Sequence, residues 1–265
     1  MRATTRLKQL RAAPWIAYYK IRGSKDYAGQ WDDYWSRATS TDEKNDVLWD
    51  KEDDEEIETA MRRLEPHLDR SLPFVDVGCG NGRRARFLAR HFDTVVGLEV
   101  SEAAVDLARA QSEGIDNLSY RVLNALDTDG MAALAAELGP SNVYMRGVFH
   151  LILDEDRPAL LANLADLLGR KGTLYQLDTD GSALEYMLEH GEDSPSGLPW
   201  LMHRVVQAGI IPHGFSEADT QRWYGDGGWQ VIRSGADVIE TQDLGGAPGR
   251  LPAQLIIAQA PLDDA

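Results

Sequence analysis

Cysteine is nearly missing from this chain. Cys79 stands alone among 265 residues, so neither an intramolecular disulfide nor a cysteine-built metal cluster can form, which fits a reducing, cytoplasmic setting. Positive charge is scarce as well. The 27 Lys and Arg against 43 Asp and Glu leave a formal charge of −16, which opposes a phosphate backbone and removes nucleic acid from the expected partners. The basic residues that do gather, Arg2, Arg6, Lys8, Arg11, Lys20, Arg22 and Lys25, read as a solvated arm. Long apolar runs are lacking too: the first hydrophobic stretch is broken by Pro14 and Lys20, too short and mixed for a secretory segment or a membrane span, so no membrane partner is expected. No internal repeat is apparent.

The chain does have enough apolar material, 43% of its residues, for one large core. At this length one α/β domain with added helices is expected rather than two full domains. From Leu72 onward short β-branched runs alternate with helical segments, the pattern of a doubly wound sheet covered on both faces. The spacing predicts strands over 74–77, 94–98, 119–123, 143–147 and 173–177, with helices over 83–91, 102–113, 131–138 and 157–168. Ser101 is the expected N-cap of the second of these helices. A helix from Ser216 to Arg222 and a terminal hairpin, 229–239 with 254–260 around the glycine-rich 245–249, complete the reading.

Chemistry is concentrated where the first strand breaks into glycines, Phe74-Val75-Asp76-Val77-Gly78-Cys79-Gly80-Asn81-Gly82. Glycine permits a tight turn and lets a ligand approach the backbone, while Glu99, closing the next apolar run about twenty residues on, can accept ribose hydroxyls. Together they describe a site for a nucleoside-containing cofactor. A dinucleotide fingerprint would need a third glycine where Arg83 stands, and Asp76 would repel a phosphate but position an ammonium or sulfonium ligand. A nicotinamide-dependent oxidoreductase is therefore the least favoured enzyme class.

The run 76–82, followed by Val96-Gly97-Leu98-Glu99-Val100-Ser101, resembles motif I and the acidic loop of class I S-adenosylmethionine-dependent methyltransferases. The resemblance extends over roughly 70–180, through 142–152 and 167–178, with Gly169-Arg170-Lys171-Gly172 replacing the family's usual proline-glycine-glycine turn. It implies a doubly wound, Rossmann-like α/β fold with a mostly parallel seven-stranded sheet and an antiparallel C-terminal strand. The implied cofactor is S-adenosyl-L-methionine, leaving S-adenosyl-L-homocysteine as product. Asp76, Gly78, Cys79, Gly80 and Gly82 would pass under its amino-acid and ribose portion, and Glu99 with Val100 would meet the ribose. Asn124, Ala125 and Leu126 occupy the stretch where the family contacts adenine, although Asn124 replaces a frequent aspartate, and Arg146 with Gly147 would floor the methionine portion. Asp76 can orient the amino end or pin the glycine loop.

Two further segments would build an acceptor pocket: an aromatic, acidic helical extension over 1–70, and an insertion over 181–215 within the methyltransferase domain spanning 71–265. Trp31, Tyr34 and Trp35 stand three and four residues apart on one helix, either packing on the domain or forming a lid. Trp200, His203 and His213 belong to the insertion. His150, just past the fourth strand, is the candidate catalytic base, with a histidine that braces the backbone as the alternative. Asp178 and Asp180 end the fifth strand where some relatives hold magnesium, but no further hard ligand matches and no metal is expected. The expected activity is methyl transfer to oxygen, nitrogen or carbon of a small molecule by direct in-line displacement, in a monomer or homodimer. A protein acceptor and a noncatalytic cofactor-binding protein are the alternatives.

Overall fold

The computed structural model describes residues 13–14, 26–38, 47–51, 53–190, 200–210, 212–244 and 249–261. The basic arm lies outside them, as do residues 191–199 of the insertion and residues 245–248 of the hairpin loop. Seven strands form one sheet: β1 (Phe74–Val77), β2 (Val95–Glu99), β3 (Leu118–Val122), β4 (Asn142–Arg146), β5 (Leu174–Thr179), β6 (Gln230–Glu240) and β7 (Arg250–Gln259). Their spatial order is β3-β2-β1-β4-β5-β7-β6. β1 to β5 run parallel, while β7 pairs antiparallel with both β5 and β6. This is the Rossmann-like methyltransferase fold expected from the sequence.

Helices join the parallel strands: α3 (Arg83–Ala89), α4 (Glu102–Gln111), α5 (Thr128–Leu138) and α6 (Arg157–Leu168). Because both sheet faces are covered, β1, β2 and β5 are buried at every position, including the polar Asp76, Glu99, Gln176 and Asp178. Alternation along β1 sends Phe74 into one core and Val75 with Val77 into the other. Tyr144 and Tyr175, paired across β4 and β5, stack with ring centroids 5.2 Å apart. α5 begins at Thr128, earlier than expected, because Asp127 caps it by accepting the Gly130 amide. The stretch after Ser216 also differs: α9 (Glu217–Thr220) gives way at once to a π-helical turn, Gln221–Gly225.

Four helices stand at the carboxyl edge of the sheet or flank it: α1 (Tyr27–Ser36), α2 (Glu55–Leu64), α7 (Ala183–His190) and α8 (Trp200–Gln207). None of the described helices is long and apolar enough to cross a membrane. Strand order reverses between β1 and β4, leaving a crevice beyond their carboxyl ends where ligands bind in open α/β sheets.

Candidate active site

The crevice opens into a cavity of about 430 Å³. On its β1–β3 side lie Asp76, Gly78, Cys79, Gly80, Glu99, Val100, Asn124, Ala125 and Leu126. Gly78 and Gly80 adopt φ of +74° and +53°, where a side chain is strained. Space forbids one as well, since a Cβ on Gly80 would approach the Trp35 ring to 2.8 Å and one on Gly78 would come within 2.3 Å of Val148.

Glu99 shapes this loop. Its carboxylate accepts the amides of Gly80 at 3.0 Å, Val100 at 2.7 Å and Ser101 at 3.2 Å. Burial nevertheless outweighs those donors and holds the Glu99 carboxyl above the usual range. Asp76, equally enclosed, is pushed up to about 7 by burial against the pull of Arg84. Its Oδ2 has no hydrogen-bond partner among the described residues. Asn124 uses Oδ1 to accept the Leu126 amide at 2.9 Å, an Asx turn that leaves its NH₂ toward other partners.

Gly82 corrects one expectation. It sits off the cavity wall as the left-handed N-cap of α3, and the Tyr120 hydroxyl occupies the space a side chain would need, so packing accounts for this glycine. Arg146 does reach the wall, but its guanidinium is turned to α2: Nε and Nη2 grip Glu56, and Nη2 also donates to the Glu240 carbonyl at 2.6 Å. Burial alone would raise Glu56; Arg146 and Arg84 overcome it and hold that carboxyl below its usual range.

His150 lies on the wall between the two halves, 7% exposed, on the short turn Phe149–Leu151 after β4. Asp178, fully buried at the end of β5, holds its Nδ1 at 2.8 Å and its backbone amide at 3.1 Å. With Nδ1 so engaged, Nε2 is the ring nitrogen left for a ligand. His213 is exposed on the same wall, its amide donating 2.7 Å to the His150 carbonyl. Asp180 turns aside to cap Ser182.

The far half is apolar, formed by Leu184 and Met187 of α7, Met202, Val205 and Val206 of α8, and Ile239 and Leu251 of the hairpin. Trp31, Trp35 and Trp49 close it from the N-terminal side. Tyr34 corrects a second expectation: it is 1% exposed and stacks on Trp49 at 5.0 Å, in the core rather than on the wall. The helix carrying Trp200 and His203 is described, but these two side chains lie outside the described set. Sequence reasoning missed Asn81 and Arg84 on the wall and Glu56 behind Arg146, whereas the α8 face falls in the insertion expected to build the pocket.

Residues 74–172 match the sequence profile of a methyltransferase domain. A crystal structure of an S-adenosylmethionine-dependent methyltransferase from Anabaena variabilis is 27% identical, with 90% of this chain and 96% of that chain covered at a TM-score of 0.79. The chain carries a methyltransferase domain over residues 74–172 and has the fold of the class I S-adenosylmethionine-dependent methyltransferases. Two more distant structures share this methyltransferase's fold. One, concerned with conversion of a disulfide bond into a thioacetal group during echinomycin biosynthesis, is 18% identical, covering 89% of this chain and 94% of its own at a TM-score of 0.65. The other, magnesium protoporphyrin IX methyltransferase from Synechocystis, is 17% identical, covering 91% and 99% at 0.56. No curated protein matches by sequence. The cofactor of this methyltransferase is S-adenosylmethionine, and its activity is transfer of the methyl group.

Proposed function

We propose that this methyltransferase modifies a small-molecule acceptor, with its cofactor on the β1–β3 side of the cavity and the acceptor on the β4–β7 side. The observation that carries the reading is His150 at the junction of the two halves, oriented by a buried carboxylate. S-adenosylmethionine, when bound, supplies a methyl group already activated on a sulfonium.

The residues fit that cofactor. Asp76 offers a buried, unpartnered carboxylate oxygen to an ammonium, and Gly78 and Gly80 supply the left-handed turn that carries the backbone along the cavity wall. Glu99 has accepted three amides, so about one of its four lone-pair sites is left for a ribose hydroxyl. The Asn124 amide and the apolar Ala125 and Leu126 would border adenine, and Arg146 and Gly147 the methionine end.

On the acceptor side the chain contributes alignment and water exclusion, because a donor already activated needs little covalent help. α1 covers the cavity as a lid through Trp31 and Trp35, and the segment beyond β5 supplies the opposite wall through α7 and α8. His150 Nε2 takes the acceptor's proton where the acceptor holds one, while Asp178 fixes the tautomer and stabilises the imidazolium.

The test is calorimetry with S-adenosylhomocysteine on the wild type and Glu99→Ala, followed by methyl-transfer assays over a panel of small acceptors. Affinity should fall at least about tenfold in the variant, the loss of a charged hydrogen bond. Unchanged affinity in a folded variant removes Glu99 from the site. Cofactor binding without transfer to any acceptor would instead favour a noncatalytic protein.

A further inference from the structure

We propose that the acceptor compartment selects an uncharged, predominantly apolar molecule whose polar end is held at His150, a specificity that rests on the methyl-transfer reading above. The sheet divides the cavity chemically. β1, β2 and the helix after β1 bring the charges: Asp76, Glu99, Arg83 and Arg84. Elements beyond β4 bring Met187, Met202, Val205, Val206, Ile239 and Leu251, which come from two helices and two strands yet converge on one wall. All six are nearly excluded from solvent, from 3% exposed for Ile239 and Leu251 to 6% for Val206.

The charges near this wall are already engaged. Arg146 is held by Glu56, Asp50 accepts from Asn81 at 2.7 Å and lies 3.6 Å from Arg83, and Asp180 accepts from Ser182. Among the described residues of that half, the other ionisable groups on the wall are His150, His213, Tyr27 and Tyr144; Tyr27 is bonded to Asp156, and burial pushes the Tyr144 hydroxyl up, which keeps it neutral. An acceptor arriving as a carboxylate or an ammonium would lose its hydration against methionine, valine and tryptophan surface without a dedicated counter-charge. A neutral aromatic or alkyl body gains contact area on the same surface, and the two methionines let the wall adapt to its outline. Its polar group then has one directional partner at the junction, His150 Nε2.

The experiment titrates the full chain, saturated with S-adenosylhomocysteine, with three probes of one skeleton: naphthol, naphthoate and naphthylmethylammonium. Binding is read by calorimetry and by tryptophan fluorescence, since Trp31, Trp35 and Trp49 line the cavity. Naphthol should bind at least about tenfold more tightly than either ion, and Val206→Asp should weaken it by about tenfold or more while S-adenosylhomocysteine affinity stays within about twofold. Should Val206→Asp fail to fold, Met187→Gln takes its place, with a several-fold loss of naphthol affinity expected.

An ion binding as tightly as naphthol overturns the proposal. So does absence of naphthol binding, or naphthol affinity unchanged in a folded wall variant. Failure of the wild type to bind S-adenosylhomocysteine would overturn the cofactor reading instead. The three probes are then ranked on the free chain, where the same order is required.

Discussion

The two halves of the cavity are built differently. The β1–β3 half is local: Asp76, Gly78 and Gly80 lie within five residues, and Glu99 reaches back to the Gly80 amide across one strand pair. The β4–β7 half is assembled from α1, α7, α8 and the β6–β7 hairpin, segments far apart in the chain. A local site demands particular residue types at fixed spacing and so leaves a motif. An assembled apolar wall demands only that apolar residues meet, and leaves an amphipathic pattern indistinguishable from core. His150 belongs to both halves, which makes it the sharpest place to probe the division.

The largest expected effect is at that junction. His150→Ala should lower the single-turnover rate by about 10²- to 10⁴-fold, with S-adenosylhomocysteine affinity nearly unchanged, if the imidazole takes a proton from the acceptor. His150→Gln separates this role from bracing, because the amide can still hydrogen-bond Asp178. Recovery of the rate in the glutamine variant would make His150 a positioning residue and leave catalysis to alignment.

Asp76 tests the cofactor half with a smaller effect and a definite pH sign. Its carboxyl is pushed up to about 7 by burial, whereas an ammonium beside it would favour the charged form. Binding below pH 7 must therefore expel a proton, so affinity should fall about tenfold per pH unit on the acid side and level off above 7. Asp76→Asn should flatten that profile and weaken binding by about ten- to a hundredfold. Stability of the free protein moves the other way. A folded-state value above the unfolded one contributes stability that is fully present below the unfolded value and lost as pH rises through about 7. Asp76→Asn should then be the more stable protein at pH 8, by about 1–4 kcal/mol, measured by urea unfolding at pH 5 and 8. A profile that keeps its slope in the variant would assign the proton to another group.

The same division explains what the sequence made legible. Strand positions, the Ser101 cap and the glycine turn follow from residues within a few positions of one another, and the structure carries all three. Glu56 was invisible because its partner Arg146 is 90 residues away. Trp31, Tyr34 and Trp35 read as one stripe, yet Tyr34 lies to one side of Trp31 and Trp35 to the other at 100° per residue. Packing on Trp49 takes the Tyr34 side inward and leaves Trp31 and Trp35 on the cavity. Gly82 matched the motif, but the Tyr120 hydroxyl beside it accounts for the glycine.

The smallest expected effect decides whether α1 opens as a lid or stays as fixed packing. Deleting it would confuse the two, since Tyr34 and Trp35 belong to the main core cluster. A single latch is cleaner. Asp32 Oδ1 accepts from Ser101 Oγ and the Ala103 amide, each at 3.0 Å, tying α1 to the N-terminus of α4. Two hydrogen bonds to a carboxylate at a helix N-terminus contribute about 1–2 kcal/mol where the carboxylate is partly buried. If α1 opens during turnover, Asp32→Ala shifts the open–closed balance: acceptor KM should rise a few-fold and Tm should move little. If α1 is fixed, the same loss appears as lower global stability, a Tm drop of about 2–8 °C for a chain of this size, with KM unchanged. Measuring both on one variant separates the outcomes, and a Tm drop without a KM change would return α1 to the core.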